Sequence, residues 1–163
     1  MGVVRYLATY NSGDNNRDGY TDVGWCVEID PVTKRVRTYG SSRQEKLWAL
    51  GRMRHENVVV AADERTVYFG EDGGTSCVYK FVANAPRNLS AGNLYVLNVS
   101  GSSGNWIRVP NATRSDRNST SSLGASLGGD DFSGVEDVEI HPLTGQVYFT
   151  SKGNGRIYRF TDN

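Results

Sequence analysis

The sequence predicts an all-β fold of about three four-stranded antiparallel β-propeller blades, of which the first and the last are incomplete. Two observations lead to this prediction. The 163 residues include 19 Gly and 9 Tyr but 4 Pro, a mix that favours short strands joined by turns. The chain also matches itself at an offset of 80 residues, because Val67–Phe69 corresponds to Val147–Phe149 and Glu56 to Glu136. Such a match in register indicates a repeated structural unit.

The first unit, residues 3–40, is predicted to contain strands at Arg5–Tyr10, Trp25–Ile29 and Arg35–Tyr39. Residues 30–34, Asp-Pro-Val-Thr-Lys, form a turn between the last two strands. This unit lacks the innermost strand of a blade.

The second unit, residues 56–99, has the four strands of a complete blade: Val58–Ala61, Val67–Phe69, Val78–Phe81 and Leu94–Val99. The third unit, residues 135–162, repeats the first three of them at Val138–Ile140, Val147–Phe149 and Ile157–Phe160. Residues 100–133 are expected to be a long polar insertion, with a short strand at Trp106–Val109. We expect residues 1–163 to form one partial propeller domain.

The charge balance excludes two classes of partner. Lys and Arg number 18, and Asp and Glu also number 18, so bulk electrostatics support neither nucleic-acid binding nor a polybasic membrane surface. No apolar stretch is long enough to span a membrane, and the first residues lack the layout of a signal peptide. The chain is therefore interpreted as a mature secreted protein, a cytosolic protein or an excised segment.

Four glycosylation sequons favour the secreted alternative, with the chain extracellular or periplasmic. They begin at Asn88, Asn98, Asn111 and Asn118, and would carry N-linked glycans in a host that glycosylates. Cys26 and Cys77 each open a predicted strand, which indicates core packing, although a disulfide between them is possible.

Two glutamates are the first candidates for a metal site. Glu56 and Glu136 occupy equivalent positions at the start of innermost strands, which line the axis of a propeller. Carboxylates that converge repel each other unless a cation lies between them, and Asp137 adds a further oxygen. The alternative is that each Glu caps a strand or pairs with Arg52 or His55. Glu71 and Asp72 are weaker candidates, because the following glycines fit an exposed hairpin.

A second metal candidate is the loop from Asp14 to Asp22, which matches the pattern D-x-N-x-D-G-x-x-D. Side-chain oxygens of Asp14, Asn16, Asp18 and Asp22, with the backbone carbonyl of Tyr20, would surround Ca²⁺. The flanking segments are predicted strands, so this would be a calcium loop on a β-hairpin. The alternative is an ordinary polar hairpin loop.

Several motifs together resemble the PhoX-type alkaline phosphatase family of β-propellers, over about residues 24–162. They are Gly-Arg-Met-Arg-His-Glu at 51–56, Val-Tyr-Phe-Gly-Glu-Asp at 67–72, Tyr-Lys-Phe-Val at 79–82, Gly-Asn-Leu-Tyr-Val at 92–96 and Val-Glu-Asp-Val at 135–138. The resemblance implies a central channel that holds metals, calcium with iron in the best-known members. It also implies hydrolysis of phosphate esters.

The chain departs from the family pattern at two places. The family carries a metal-binding Thr-Cys-Glu-Glu run where residues 7–11 here read Leu-Ala-Thr-Tyr-Asn, so Ca²⁺ is expected and Fe³⁺ is not. The family also often has a phosphate-binding Arg at the position of Gly134. Arg52, His55 and Lys152 remain candidates for catalysis, although Lys152 also fits a solvated turn.

These observations favour a non-catalytic, calcium-binding extracellular propeller module. Its open blade edges would pair with copies of the same chain, in a ring dimer or a filament. The alternative is a metal-dependent phosphate-ester hydrolase, or an excised part of one. In that case channel metals would polarise the phosphoryl group.

Overall fold

The computed structural model of the protein describes residues 2–5 as backbone, and residues 13–73 and 75–162 in full. Its strands are β1 (Gly2–Arg5), β2 (Cys26–Ile29), β3 (His55–Val60), β4 (Thr66–Glu71), β5 (Val78–Ala85), β6 (Asn88–Ser100), β7 (Ser103–Val109), β8 (Val135–Ile140), β9 (Val147–Ser151) and β10 (Arg156–Phe160). The helices are a 3-10 turn (Trp48–Leu50), α1 (Arg114–Asn118) and α2 (Thr120–Ser126). The described chain is thus mainly β, as predicted.

All strand pairs in the described part of the chain are antiparallel, and its strands form three sheets. β1 pairs with β2, the strands β3 to β7 form a meander in chain order, and β8, β9 and β10 form a second meander. The strands predicted for the second and third units are therefore confirmed, with longer bounds. Most of the strand predicted at Arg5–Tyr10 lies outside the described residues.

The strand predicted at Arg35–Tyr39 is wrong. This segment makes only isolated bridges, between Val36 and Ile29 and between Tyr39 and Gln44. Residues 35–38 are exposed and Tyr39 alone of the segment is buried, so the segment has little apolar surface to hold it against a core.

Residues 100–133 contain the short strand predicted at Trp106–Val109, which is confirmed with longer bounds as β7 (Ser103–Val109). They also contain helices α1 and α2, which were not predicted. β7 adds a fifth strand to the sheet, pairing with β6 from Leu94↔Val109 to Ser100↔Ser103. Helix α1 follows, and Thr113 starts it with a capping box, in which its hydroxyl accepts from the N–H of Asp116. The composition concealed the two helices because they are short and their exposed sides are polar.

Two clusters of buried apolar residues lie on opposite sides of the five-stranded sheet. The alternation along β4 shows this, since Val67 and Phe69 belong to the first cluster and Tyr68 to the second. The second cluster also contains Val138 and Phe149, from the smaller sheet. It therefore joins the two sheets and fixes the relative positions of β3 and β8, which carry the candidate site.

The two cysteines are free and fully buried, at 0% exposure each. Burial raises the pKa of the Cys26 thiol to about 12, and that of the Cys77 thiol to about 11. The prediction of core packing is confirmed, and the possible disulfide between them does not form. None of the helices in the described ranges has the length and apolar character that crossing a bilayer requires.

Candidate metal centre

The two sheets place Glu56 and Glu136 in the same local structure. β3 starts opposite the end of β4, with His55 paired to Glu71, and β8 starts opposite the end of β9 in the equivalent pairing. In each case the register shifts just after the first pair, between His55 and Val58 and between Val135 and Val138. Such bulges redirect side chains at the start of a strand.

Glu56, Asp72 and Glu136 form an acidic cluster, which we call the carboxylate triad. One ligand oxygen from each lies within 4.8 Å of the other two, and all three side chains are half-buried. Asp72 directly follows β4, where its N–H donates to the carbonyl of Arg54 at 2.9 Å. The triad therefore takes two members from the larger sheet and one from the smaller sheet, and its oxygen atoms are the type of ligand that hard cations prefer.

Lys152 completes this group of side chains. Its Nζ lies 2.6 Å from Oδ1 of Asp72 and 2.5 Å from Oε1 of Glu136. The hydrogen bonds to Asp72 and Glu136 raise the pKa of the Lys152 ammonium above its usual value. Lys152 follows β9 as Asp72 follows β4, so the two residues are equivalent at the same offset of 80 that relates Glu136 to Glu56.

Asp137 is not part of the triad, and its role as a further metal ligand stays a prediction. Asn57 donates from Nδ2 to the Asp137 carboxylate and, at 2.9 Å, to the carbonyl of Val138. Asp137 also accepts from the N–H of Val138 at 3.1 Å, as Asn57 accepts from the N–H of Val58 at 2.8 Å. These two equivalent side chains therefore tie β3 to β8 beside the triad.

Asp72 is the member of the triad that sequence reasoning ranked too low. The glycine after it suggested an exposed hairpin, but the backbone bond to Arg54 holds Asp72 beside the start of β3. The available signal was the repeat itself, because position 72 aligns with Lys152, a charged residue at the end of the equivalent strand.

Arg52 and His55 make contacts that organise the backbone. Arg52 donates from Nε to the carbonyl of Val23 at 3.0 Å. His55 is buried, its Nε2 lies 3.0 Å from the carbonyl oxygen of Gly51, and its ring lies 5.2 Å from that of Phe69. Their catalytic role stays a prediction.

Glu71, adjacent to the triad, is a buried carboxyl with two hydroxyl partners. It accepts from Thr75 Oγ1 at 2.8 Å and from Ser121 Oγ at 2.6 Å. Burial raises the pKa of Glu71 above its usual value, although these hydrogen bonds act in the opposite direction. Because Ser121 lies in α2, Glu71 anchors that helix to the end of β4.

The predicted calcium loop is closed by its own carboxylates. Asp14 accepts from the N–H groups of Asp18 at 3.1 Å and Gly19 at 2.9 Å. Asp18 accepts from the N–H of Tyr20 at 2.8 Å. Asp22 accepts from the N–H and the Nδ2 of Asn15 at 3.0 and 2.7 Å. Among the described residues the loop carboxylates do not form a converging group like the triad, and calcium binding here stays a prediction.

Helix α1 holds this loop in place. Asn118 donates from Nδ2 to the carbonyl of Gly19 at 2.9 Å, and its Oδ1 accepts from the N–H of Thr21 at 2.9 Å. The ring of Tyr20 is stacked on Trp48 with centroids 4.2 Å apart. The loop is therefore fastened to the domain through residues that sequence reasoning placed in a polar insertion.

The sequon asparagines differ in their surroundings. Asn111 is 5% exposed and its Nδ2 donates to the carbonyls of Ala49 at 2.8 Å and Gly92 at 3.1 Å, surroundings that leave little space for a glycan. Asn118 uses its Nδ2 to hold the loop, and Asn98 donates to the carbonyl of Gly128 at 2.7 Å. Asn88 is exposed, and glycosylation there stays a prediction.

The chain is similar to a known protein family and to a solved structure. The family described as Alkaline phosphatase PhoX matches residues 4–162. A solved structure, Pseudomonas fluorescens PhoX in complex with vanadate, a transition state analogue, is 29% identical with a TM-score of 0.62. The match covers 78% of this chain and 27% of that one, so the chain spans about a quarter of that protein. No curated protein matches the chain. The chain belongs to the PhoX alkaline phosphatase family.

Proposed function

We propose that this chain is a calcium-binding part of a PhoX-type β-propeller phosphatase, and that its carboxylate triad holds the cation. The observation that carries the proposal is the convergence of Glu56, Asp72 and Glu136 to within 4.8 Å, from two different sheets. Family membership supports the phosphatase part of the proposal, because the solved relative is a PhoX in complex with vanadate, a transition state analogue.

The residues of the triad fit Ca²⁺. Three carboxylates supply hard oxygen donors and a net negative charge, and half-burial leaves room for water or further ligands. No thiolate is near enough to join them among the described residues, which favours calcium over softer metals. A bound cation would supply polarisation of a phosphoryl oxygen. Glu56, Asp72 and Glu136 would bind the cation, and Lys152 would place a positive charge beside the anionic ligand.

Hydrolysis of phosphate esters is expected to need more than this chain. The solved relative is matched over 27% of its length, so most of a PhoX-sized domain lies outside the matched region. We propose that residues 1–163 alone bind the metal without turning over substrate. The surrounding blades would complete the propeller and its channel. We place the protein in an extracellular or periplasmic compartment, where calcium at roughly millimolar concentration suits a half-buried carboxylate site of moderate affinity.

A second candidate function, self-assembly, is supported by an edge strand. Among the described strands β10 pairs with β9 alone, and its Ile157 is 73% exposed. An unpaired strand edge with an apolar residue is a template for another strand. We propose that this edge receives a strand from a second copy when no further blades are present.

Calcium titration by calorimetry tests the proposed function. The Asp14–Asp22 loop is a second candidate site, so the experiment uses an Asp18→Ala background. In that background, Glu136→Gln should abolish calcium binding, while Glu139→Gln should retain it, because Glu139 is an exposed carboxylate on the same strand but not in the triad. Equal binding by all three proteins would overturn the assignment. A chromogenic phosphomonoester assay of the same chain should show no turnover above the calcium blank.

A further inference from the structure

The ammonium of Lys152 contacts the same carboxylate oxygens that a metal on the triad would bind. It contacts Asp72 at 2.6 Å and Glu136 at 2.5 Å, so it pairs with two of the three carboxylates. A divalent cation bound by the same oxygens would lie within a few ångströms of the ammonium. Like charges at that separation repel strongly at a protein surface. Lys152 in this position and a metal on the triad therefore exclude each other.

The side chain of Lys152 is exposed enough to move away from the triad into solvent. Its side chain is 54% exposed, whereas those of Asp72 and Glu136 are 27% and 40% exposed. A lysine has a flexible four-carbon stem and pairs with anions as a point charge, without a fixed geometry. Rotation of the stem can therefore move the ammonium to solvent while the backbone stays in place.

Gly134 provides the surface on which this stem lies. Lys152 donates its N–H to the carbonyl of Gly134 at 2.9 Å. A Cβ at Gly134 would meet Cε of Lys152 at 2.9 Å and Cγ at 3.0 Å, and Gly134 has a φ of +85°. The absence of a side chain at position 134 therefore allows the Lys152 stem to cross the backbone and reach the triad. The positive charge beside the triad is therefore that of Lys152, the residue after β9, and Gly134 leaves space for its side chain.

We propose that Lys152 is an exchangeable counter-ion of the triad. It neutralises Asp72 and Glu136 while no metal is bound. A divalent cation displaces its ammonium toward solvent, where the ammonium becomes available to an anionic phosphate group. This inference rests on the proposed calcium function of the triad. It adds that metal binding and the exposure of Lys152 are one coupled event.

Chemical labelling of lysine in the wild-type chain tests the exchange directly. An amine-acylating reagent, read out by mass spectrometry, should modify Lys152 slowly in a chelator and several times faster in saturating calcium. Lys34, which is exposed and away from the triad in sequence, serves as the internal control and should react equally in both conditions. An unchanged rate at Lys152, in a protein that calorimetry shows to bind calcium through Glu136, would overturn the inference.

Calorimetry on Lys152→Met provides the second test, in the Asp18→Ala background. Methionine keeps an unbranched stem and removes the charge. Two partly exposed ion pairs no longer compete with the metal, so calcium should bind roughly three- to thirtyfold more tightly. Equal or weaker binding would overturn the inference. If Glu136→Gln binds calcium as well as its parent does, the proposed function itself has failed.

Inorganic phosphate tests the last step. In saturating calcium, phosphate should bind the Lys152 form more tightly than the Lys152→Met form, and neither should bind it in a chelator. Equal phosphate affinity of the two forms in calcium would show that the displaced ammonium does not reach the anion, and would overturn that part of the proposal.

Discussion

The carboxylate of Asp162 lies 2.9 and 2.8 Å from the ammonium of Lys80, through its two oxygens. Asp162 follows β10 in the smaller sheet, and Lys80 lies in β5 of the larger one. The same carboxylate accepts from the hydroxyl of Tyr68 at 2.6 Å and from Nε1 of Trp106 at 2.7 Å. One side chain thus connects the end of the smaller sheet to three strands of the larger sheet.

Replacing Asp162 by Asn should destabilise the domain by about 2–4 kcal/mol, because it leaves a largely buried ammonium without its counter-charge. The side chains of Lys80 and Asp162 are 14% and 17% exposed. Urea unfolding of wild type, Asp162→Asn, Lys80→Met and the double variant would measure the coupling between them. A coupling near zero would contradict the structural role given to this pair.

The contribution of Asp162 should depend on pH in the acid range. Burial acts to raise the pKa of Asp162, but the hydrogen bonds from Lys80 and Tyr68 outweigh it and hold the pKa below its usual value of 3.8. A carboxyl with a lowered pKa in the folded state adds stability above its unfolded value, and this stability is lost as pH falls through the folded value. The difference in unfolding free energy between wild type and Asp162→Asn should therefore shrink below about pH 4. A difference that is constant between neutral pH and about pH 3 would contradict this.

Gly134→Ala should both destabilise the protein and free Lys152. The new methyl group would clash with the Lys152 stem at 2.9 Å, on a backbone with φ of +85°. Gly145→Ala is the matched control, since Gly145 has φ of +71° but a Cβ added there would meet no described atom within 4 Å. Both changes should cost about 1–3 kcal/mol of backbone strain. Only Gly134→Ala should speed acylation of Lys152 in a chelator.

Calcium should raise the melting temperature through the Asp14–Asp22 loop as well as through the triad. Binding to the folded state alone stabilises it by about 2.7 kcal/mol at a hundredfold excess over Kd. Asp18→Ala should remove the contribution of the loop, and Glu136→Gln that of the triad. The melting curves of both single variants and the double variant, with and without a chelator, would separate the two sites. No loss of the calcium-dependent shift in Asp18→Ala would show that the loop is not a calcium site.

The chain should self-associate at micromolar concentration through the open edge at β10. Ile157→Lys places a charge on that edge, which opposes strand pairing, and should shift the population toward monomer. Sedimentation velocity of both proteins would measure this. Val32→Lys is a suitable control, because Val32 is also exposed, at 87%, but lies in a turn. A wild-type chain that sediments as a single 17.9 kDa species would contradict the prediction.

The repeat in the sequence predicted the elements that carry the site, because each repeated strand has an apolar side that packs against a core. Val67 and Phe69 are both 0% exposed, and Val147, the counterpart of Val67, is 1% exposed. The same reasoning failed where local pattern and tertiary contacts disagree. Arg35–Tyr39 alternates like a strand but makes only isolated bridges. The strand predicted at Trp106–Val109 begins three residues earlier, at Ser103, because its polar start pairs with β6.

The candidate site was predicted only in part, for a related reason. Glu56 and Glu136 share a sequence position in the repeat, so their convergence followed from the repeat alone. Asp137 was expected at the site and Asp72 was a weaker candidate, but the triad contains Asp72 and not Asp137. Hydrogen bonds decide where each carboxylate lies. Asn57 draws Asp137 away from the triad, while the backbone of Arg54 holds Asp72 in it. The repeat marks position 72 as equivalent to Lys152, but the hydrogen bonds that place these carboxylates follow from tertiary contacts and not from the sequence pattern.

The equivalence of Asp72 and Lys152 has a consequence for how the domain folds. With an acidic residue at both positions, four carboxylates would meet where the two sheets join, and the junction would close only around a cation. The second repeat instead has a lysine at this position, and the ammonium of Lys152 pairs with Asp72 and Glu136. The two sheets can therefore meet here without a bound cation. If the triad binds calcium as proposed, this region is expected to fold before the cation binds, because Lys152 already neutralises two of the carboxylates.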